Sequence, residues 1–406
     1  MNKKLIYLDT DNKFSVSKKQ KKIVYLDNAA TTKVDEKVVK EIDRFMLENY
    51  GNASSIHQIG RKAREEIEKA RDKIAKFIHA EKNEIIFTSG GTESNNLAIR
   101  GAALANPHRK HIITSKIEHP CVIETCRELE RQGYRVDYLN VDEEGMISLD
   151  ELKQLITNDT LLVSVMHVNN EIGVIQPVEE IGKICKEKSV IFHSDCVQSF
   201  GKIKIDVNKL NLDLISVSGH KINAPKGIGF LYIRKGVNVF PILFGGGQEK
   251  GTRSGTENTP GIIGLSFALD IKRNEKEVKK ARDKLLDKIL EIKGTRLNGS
   301  RKNRVYNNIN VSFHGIEGES LALLLDQDGI CGSTGSACSS HSLEESHVLK
   351  AINVPTLYIH GSLRLTLDTI NPLEDKEINF IVEKIRKAVE KLREMSPFKL
   401  EEESCN

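Results

Sequence analysis

The stretch EIIFTSGGTESNNLA, residues Glu84–Ala98, predicts a strand, a glycine-rich turn and the start of a helix in direct succession. In this stretch Ser89–Thr92 place backbone N–H groups at the helix N-terminus, where the helix dipole also favours an anion. The turn therefore predicts a phosphate-binding site that includes Gly91 and Thr92. The alternative is a simple helix start, with Thr92 as the N-cap and Glu93 in the first turn.

Short apolar runs continue to alternate with amphipathic stretches beyond this turn. The predicted strands are Glu84–Thr88, His111–Ser115, Arg135–Leu139, Leu161–Met166, Val190–His193 and Asp213–Val217. The clearest helix is Arg61–Ile78, which has one apolar stripe at spacings of three and four. This alternation predicts an α/β fold with a large, doubly wound, mostly parallel sheet at about residues 32–275.

The sequence changes character from Lys272, where a highly charged helical stretch begins. The elements predicted after it are the strands Asn308–Phe313 and Gly361–Leu367 and the helices Gly318–Leu325 and Asp375–Met395. They predict a smaller α+β C-terminal domain at 276–406. Residues 1–31 are predicted to be an N-terminal extension that packs with this small domain.

Composition and charge limit the kind of protein that the chain can be. Its 406 residues are 39% hydrophobic and 29% charged, which is ordinary for a globular protein of about two domains. The apolar runs are far shorter than the roughly 20 residues of a membrane helix, so no membrane is expected. A net charge of +4 is too balanced to predict direct nucleic-acid binding. Seven cysteines without a CxxC pair predict free thiols in a reducing compartment and no structural metal site.

Two further stretches place chemically useful side chains at strand ends. In SVSGHKINAPKGIG, 216–229, Lys221 follows a buried strand, and a partly desolvated lysine can attack a carbonyl group. In FHSDCVQS, 192–199, Asp195 lies where a doubly wound sheet has its ligand crevice, and an acid there can hold a protonated ring nitrogen. The alternatives are an ordinary solvated lysine and a helix N-cap.

A third stretch, GICGSTGSACSSHSL at 329–343, sets Cys338 among glycine, serine and threonine, the composition of a flexible loop. An exposed thiol on such a loop is a candidate reactive cysteine. Cys185 instead lies among apolar helix residues and is expected to be buried and structural. Cys331 and Cys405 are assigned no role.

Seven ordered motifs resemble the cysteine desulfurases of the NifS/IscS-like group, which are fold-type I enzymes dependent on pyridoxal phosphate (PLP). They are SGGTESNN at 89–96, IEHP at 117–120, MHVNNEIG at 166–173, HSDCVQS at 193–199, SGHK at 218–221, RSGTEN at 253–258 and TGSACSS at 334–340. The resemblance covers about residues 23–395. It implies conversion of L-cysteine to L-alanine, with sulfur passed as a persulfide on Cys338 to an acceptor such as an iron–sulfur scaffold protein, for cluster assembly or tRNA thiolation.

The resemblance also implies a role for each matching residue. Lys221 is the implied Schiff-base lysine, Asp195 the partner of the pyridine nitrogen, and Cys338 the sulfur-accepting nucleophile. His119 stacks on the ring and is the candidate base. The residues implied for the phosphate are Gly91, Thr92, Ser218 and His220. Those implied for the phenolic oxygen are Gln198 and Asn170. The substrate carboxylate is implied to bind Asn170 and Arg364. Thr256 reaches the phosphate of the neighbouring subunit, which implies a homodimer.

Several alternatives stay open. Taken alone, His119 also fits a polar strand end, and Arg364 also fits a surface ion pair. The chain departs from the family pattern at Cys196, Ala224 and Thr369, which leaves the cofactor surroundings and partner docking less certain. It also lacks the longer C-terminal tail by which housekeeping relatives engage a scaffold protein, so the acceptor stays open.

Other functions on this sequence are a selenocysteine lyase, an aminotransferase, and an adaptor that carries sulfur without catalysis. Intact Lys221 and Cys338 argue against the adaptor. A thiol-ligated metal protein fails on spacing, although Cys331, Cys338 and His341 could bind a metal by chance. The expected compartment is the cytoplasm, and the alternative is the matrix of a mitochondrion-related organelle.

Overall fold

The structure, a computed structural model, describes residues 23–334 and 345–398. The strands in these ranges are β1 (Val24–Tyr25), β2 (Ile85–Thr88), β3 (His111–Ser115), β4 (Arg135–Leu139), β5 (Thr160–Ser164), β6 (Ile191–Asp195), β7 (Leu214–Ser218), β8 (Gly229–Ile233), β9 (Thr295–Leu297), β10 (Asn308–Phe313), β11 (Ile330–Cys331) and β12 (Ser362–Thr366). The helices are α1 (Glu36–Glu48), α2 (Gln58–Phe77), α3 (Gly91–Ala105), α4 (Pro120–Arg131), α5 (Leu149–Leu155), α6 (Val178–Glu187), α7 (Thr259–Ala268), α8 (Glu275–Leu290), α9 (Gly318–Gln327), α10 (His347–Ala351), α11 (Thr356–Ile359) and α12 (Asp375–Met395).

A seven-stranded sheet forms the centre of the larger part of the molecule, in the order β2-β8-β7-β6-β5-β3-β4. β8 runs antiparallel to both of its neighbours, and the other pairs are parallel. The predicted mostly parallel sheet is confirmed, and each strand predicted for it is present. The sequence prediction missed β8, whose apolar run GFLYI follows a lysine- and glycine-rich stretch.

Helices cover both faces of this sheet. Successive strand residues point to opposite faces, so neighbouring residues pack against different sets of helices. In β2, Ile85 and Phe87 belong to a cluster that also contains residues of α1, α2, α6 and α7. Ile86, between them, belongs to a second cluster with residues of α3 and α4. The doubly wound arrangement is therefore confirmed.

A smaller antiparallel sheet, in the order β12-β10-β9, lies in the C-terminal part of the chain. Its apolar side chains share a cluster with α8, α9 and α12, for example Ile309, Leu363 and Ile381. β1 pairs in parallel with β11, and Val24 and Leu26 join the same cluster. The described start of the chain thus packs with these C-terminal elements, while the three proposed domain boundaries stay predictions.

Candidate active site

A cavity of about 250 Å³ lies at the carboxyl edge of the large sheet, where doubly wound folds bind ligands. Ten of the predicted site residues line it: Gly91, Thr92, His119, Asn170, Asp195, Gln198, Ser218, His220, Lys221 and Arg364. Of the other two, Thr256 lies off the cavity wall, and Cys338 lies outside the described residues. Motifs that are far apart in the sequence therefore meet in one place.

The turn between β2 and α3 forms part of the cavity wall. α3 begins at Gly91, and Gly90 is its N-cap with a φ of +155°, a backbone conformation that L side chains rarely adopt. A Cβ on residue 91 would lie 2.7 Å from Val197 Cγ2, so any larger residue there would force Val197 to shift. The alternative in which Thr92 is the N-cap is therefore wrong. The first N–H groups of α3 have no partner within the helix, as an anion site requires.

Asp195 ends β6 and is 4% exposed. Its Oδ1 accepts a hydrogen bond from the Val197 N–H at 2.9 Å, and its Oδ2 accepts one from Asn95 Nδ2 at 2.7 Å. Asp195 therefore caps the turn that follows it and also lines the cavity, so the two interpretations of this residue are compatible. Asn95 is absent from the sequence predictions. Its signal is the spacing of four residues from Gly91, one helical turn.

Lys221 ends a short 3-10 helix, Gly219–Lys221, that follows β7 directly. Its Nζ donates to the carbonyl oxygens of Ala29 and Ala30 at 2.6 and 2.7 Å. Both alanines lie in the turn after β1, so the N-terminal segment orients the amine. The alternative of an ordinary solvated lysine is wrong, because the residue is half-buried and lines the cavity.

His119 is the N-cap of α4, and Pro120 occupies the first helical position. Its Nδ1 accepts a hydrogen bond from the Cys121 N–H at 3.2 Å, so it is a helix cap and not a strand end. Burial lowers the pKa of His119, the Asp195 charge opposes this change, and the Lys221 charge adds to it. The neutral imidazole is favoured, and only that form can accept a proton.

A second thiol, that of Cys121, lines the cavity beside His119 and is absent from the sequence predictions. Its Sγ lies 2.9 Å from His119 Nδ1 and 3.1 Å from Asn95 Nδ2. Burial, and then the Asp195 charge, raise the pKa of Cys121 to about 12. The thiol therefore stays protonated and is a poor nucleophile.

Arg364 reaches the cavity from β12 of the small sheet and is 2% exposed. Its Nη1 donates to the Asn170 carbonyl oxygen at 3.0 Å, and its Nη2 donates to Asp27 Oδ1 at 2.9 Å. The surface ion-pair alternative is wrong, because the guanidinium is buried. Its planar fork is suited to a carboxylate ligand.

The segment that carries Cys338 leaves and rejoins the described structure beside these groups. The Ser333 N–H donates to the Arg364 carbonyl oxygen at 3.1 Å, and the Arg364 N–H donates back at 2.6 Å. On the far side, Ser346 Oγ donates to Glu171 Oε2 at 2.6 Å. The residues that flank segment 335–344 are therefore anchored at the cavity, Ser333 to Arg364 itself and Ser346 to Glu171, the neighbour of Asn170.

Thr256 is exposed, and the loop that carries it is tied to the glycine turn of its own chain. Arg253 Nε pairs with Glu93 Oε1 at 2.7 Å, and Glu93 also accepts from the Ser89 N–H at 2.9 Å. Thr256 is therefore held on the outside, where it does not reach the cavity of the same chain.

The departures from the family pattern lie off the cavity wall. Cys196 and Ala224 are fully buried, Thr369 is 5% exposed, and none of the three lines the wall. Burial raises the pKa of Cys196 to about 12. Cys185 is buried, as predicted. These substitutions therefore leave the lining groups in place.

The described ranges contain neither a metal-binding cluster nor a membrane-spanning helix. In residues 23–334 and 345–398, no group of three or more His, Cys, Asp or Glu side chains is arranged to hold a metal ion. Of the chance ligands named above, only Cys331 lies in these ranges. No helix in the described part of the chain is long and apolar enough to span a bilayer.

The donor set of the cavity fits PLP. The cofactor offers a phosphate, a basic ring nitrogen and a carbonyl carbon. The cavity offers the helix N-terminus at Gly91, the buried Asp195 carboxylate and the Lys221 amine, respectively. Burial, and then the charges of Lys221 and Lys226, lower the pKa of His220 to about 4, so its ring is neutral where it lines the cavity.

Comparisons with known proteins agree with this geometry. The model of the aminotransferase class-V family matches residues 24–378. "Cysteine desulfurase IscS" of Methanosarcina thermophila is 53% identical over 384 residues, 93% of this chain and 95% of that protein. A solved "NIFS-LIKE PROTEIN" superposes with a TM-score of 0.85 at 39% identity, over 91% of this chain and all of that one. "SspA in complex with cysteine" superposes with a TM-score of 0.78 at 37% identity, over 86% of this chain and 99% of that one.

Proposed function

This chain belongs to the aminotransferase class-V family and is a PLP-dependent cysteine desulfurase, and from that premise we propose which of its residues perform the reaction. L-Cysteine and the Cys338 thiol become L-alanine and a Cys338 persulfide. The Cβ–Sγ bond of the substrate breaks, an S–S bond forms and Cβ gains a hydrogen, so atoms and electrons balance. The observation that carries the proposal is that Lys221, Asp195 and Arg364 line one cavity.

Three groups of the cavity would hold the cofactor. PLP, when bound, supplies an electron sink for the electrons left on the substrate Cα. Asp195 holds the ring nitrogen in its protonated state, and the hydrogen bond from Asn95 fixes the carboxylate. The α3 N-terminus takes the phosphate. His119 would lie against the ring, and its neutral state would avoid placing a second positive charge there.

Lys221 moves the proton. Once free, its amine takes the proton from the substrate Cα, and it later protonates the carbon skeleton that becomes alanine. The carbonyls of Ala29 and Ala30 accept hydrogen bonds from Nζ and so restrict where it can lie. Lys221 is therefore a proton carrier that is positioned by the N-terminal segment.

Arg364 and Asn170 bind the α-carboxylate of the substrate. The guanidinium is already fixed by Asp27 and by the Asn170 backbone, so little side-chain freedom is lost on binding. Because two parallel N–H groups meet two carboxylate oxygens, the contact also orients the substrate.

Cys338 accepts the sulfur as a thiolate. Cys338 follows Ser333 by five residues, and the Ser333 backbone is hydrogen-bonded to Arg364. Five fully extended residues span at most about 17 Å, which sets the largest distance of Cys338 from that anchor. This reach is enough both to meet a substrate held by Arg364 and to deliver sulfur outside the cavity.

A homodimer would complete the phosphate site. Large apolar side chains are exposed around α1 and α2, among them Leu47, Tyr50 and Ile56, and Phe244 is 84% exposed on the loop that leads to Thr256. A monomer rarely leaves such side chains clustered in water. Two copies that cover them would bring Thr256 of one to the cavity of the other.

The sulfur acceptor is proposed to be a protein of iron–sulfur cluster assembly, as in the group that the motifs resemble, with tRNA thiolation as the alternative route. The five cysteines in the described ranges are free thiols, which suits a reducing compartment such as the cytoplasm.

The function is tested by reconstituting the purified protein with PLP and adding L-cysteine, while visible absorbance, alanine and sulfide are followed. The parent should become coloured and form alanine. Lys221→Ala should lose alanine formation by about 100-fold or more. Lys226→Ala, an exposed lysine five residues away, serves as the matched control and should behave as the parent. A parent that takes up no PLP, or forms alanine only from selenocysteine, would overturn the proposal.

A further inference from the structure

A buried lysine that the reaction above does not use lies directly behind the cofactor cavity. Lys202 is 8% exposed, and it follows Gln198 by four residues in the turn after β6. Its Nζ donates to Gln198 Oε1 at 2.9 Å. Among the described residues no carboxylate pairs with it, which is rare for a buried lysine.

This contact fixes which way the Gln198 carboxamide is turned. Gln198 lines the cavity, its Oε1 is engaged by Lys202, and its Nε2 donates to the Ala29 carbonyl oxygen at 2.9 Å. Nε2 carries two hydrogens, so one is left for a ligand. Gln198 can therefore offer the cavity a donor, and its partner there must be an acceptor oxygen.

The surroundings of Lys202 are positively charged. Burial, and then the charges of Lys221, Arg273 and Arg364, lower the pKa of Lys202 to about 7. Ammonium and neutral amine both carry N–H donors, so the bond to Gln198 Oε1 exists in either state. Burying Lys202 among positive charges without a carboxylate partner costs free energy of folding, so its role is one other than stabilising the fold.

We propose that Lys202 is a positioning residue, which holds Gln198 with its remaining Nε2 hydrogen toward an anionic or phenolic oxygen of the cofactor. The proposal rests on the proposed function, in which Gln198 lies near the phenolic oxygen of PLP. Lys202 acts through Gln198 and does not itself touch the ligand. Without it, only the Ala29 carbonyl oxygen holds the carboxamide, so the orientation that presents Nε2 is less strongly favoured over the one that presents Oε1, which repels such an oxygen.

The test is a titration of apo-protein with PLP in the absence of cysteine. Lys202→Met keeps the length of the side chain and removes the donor, and we expect the Kd for PLP to rise by about three- to tenfold, the worth of one hydrogen bond. The visible absorbance of the bound cofactor should also shift, because its phenolic oxygen loses a donor. Lys204→Met, an exposed lysine two residues away, is the matched control and should change neither.

A double-mutant cycle separates positioning from a structural role. In a Gln198→Leu background the amide is gone, so Lys202→Met should have no further effect on the Kd. Equal effects in both backgrounds would overturn the proposal. So would Gln198→Glu binding PLP as tightly as the parent, because that variant keeps the Lys202 contact but offers no N–H.

Two controls keep the outcomes distinct. Thermal unfolding of the apo-proteins checks folding, and Lys202→Met should be no less stable than the parent because a buried charge is replaced by an apolar chain. If the parent itself binds no PLP, the proposed function fails. If the parent binds PLP and Lys202→Met binds it equally well, only the positioning role fails.

Discussion

Single residues at this site often do two things at once. His119 caps α4 and lines the cavity, and Asp195 caps a turn and also lines the cavity. In both cases the helix start or turn fixes the side chain, because the capping bond leaves it little rotational freedom. Precise placement of these cavity-lining groups thus comes from ordinary local structure.

Glu118, beside His119, gives a pH-dependent prediction. It is fully buried, its Oε1 accepts from Ser115 Oγ at 2.5 Å and from the Met166 N–H at 2.9 Å, and burial raises its pKa from 4.5 to about 8. Between about pH 4.5 and pH 8, Glu118 therefore keeps its proton in the folded state but has lost it in the unfolded chain. Its contribution to stability is complete below about pH 4.5 and is lost as the pH rises through about 8.

Glu118→Gln should remove that loss. Relative to the parent, its free energy of unfolding should rise with pH across this window, by up to about 1.4 kcal/mol per pH unit. Urea unfolding of apo-protein at about pH 5, 7 and 9 measures it. Glu124→Gln, exposed on α4, should show no such trend. A difference between Glu118→Gln and parent that is constant over pH contradicts the assignment.

At the scale of elements, strongly patterned segments are predictable. The bounds of β3, β4, β10 and α12 agree with the sequence prediction, because their apolar periodicity and flanking polar residues are unambiguous. Contacts between elements are not predictable in this way. Nothing in the sequence near Asn95 says that it meets Asp195, and nothing near Lys221 says that its amine meets Ala29, 192 positions away.

The strand that the sequence prediction missed gives an element-scale prediction. Gly229 starts β8, and a Cβ there would lie 2.3 Å from the Val217 carbonyl oxygen and 2.8 Å from Gly90 Cα, both backbone atoms. Gly229→Ala should therefore push the glycine turn outward, destabilise the protein by about 1–3 kcal/mol and weaken PLP binding.

Urea unfolding and PLP titration of Gly229→Ala test this, with Gly246→Ala as the control. A Cβ at Gly246 would meet only the flexible end of Gln248, at 3.1 Å, so that variant should resemble the parent. Parent-like PLP affinity in Gly229→Ala would show that the turn does not depend on the close approach of β8.

At the scale of the whole molecule, the cavity is built by both sheets. Asn308 and Asn310 donate from β10 to the Glu171 carbonyl oxygen at 3.1 Å each, and Arg364 donates from β12 to the Asn170 carbonyl oxygen. The turn that carries Asn170 is therefore held by the C-terminal elements. The cavity wall formed by Asn170 and Arg364 is complete only when the two parts are packed together.

The proposed dimer gives a whole-molecule prediction. Phe244→Glu places a charge on the apolar surface that a second copy would cover, so it should shift the protein from dimer to monomer and weaken PLP binding through loss of Thr256 of the partner subunit. Light scattering measures the mass. Leu323→Glu, on a 67% exposed position of α9, should leave a dimer. A parent that is monomeric at working concentration contradicts the prediction.

The central claim is that sulfur leaves L-cysteine and arrives on Cys338. The most direct measurement is mass spectrometry, under non-reducing conditions, of PLP-loaded protein after limiting L-cysteine. We predict one added sulfur atom on the peptide that contains Cys338, an equal amount of alanine, and neither product in Cys338→Ala, which should still bind PLP. Sulfur found on the peptide of Cys121 or Cys331 instead, or alanine and sulfide released by Cys338→Ala at the parental rate, would contradict the account.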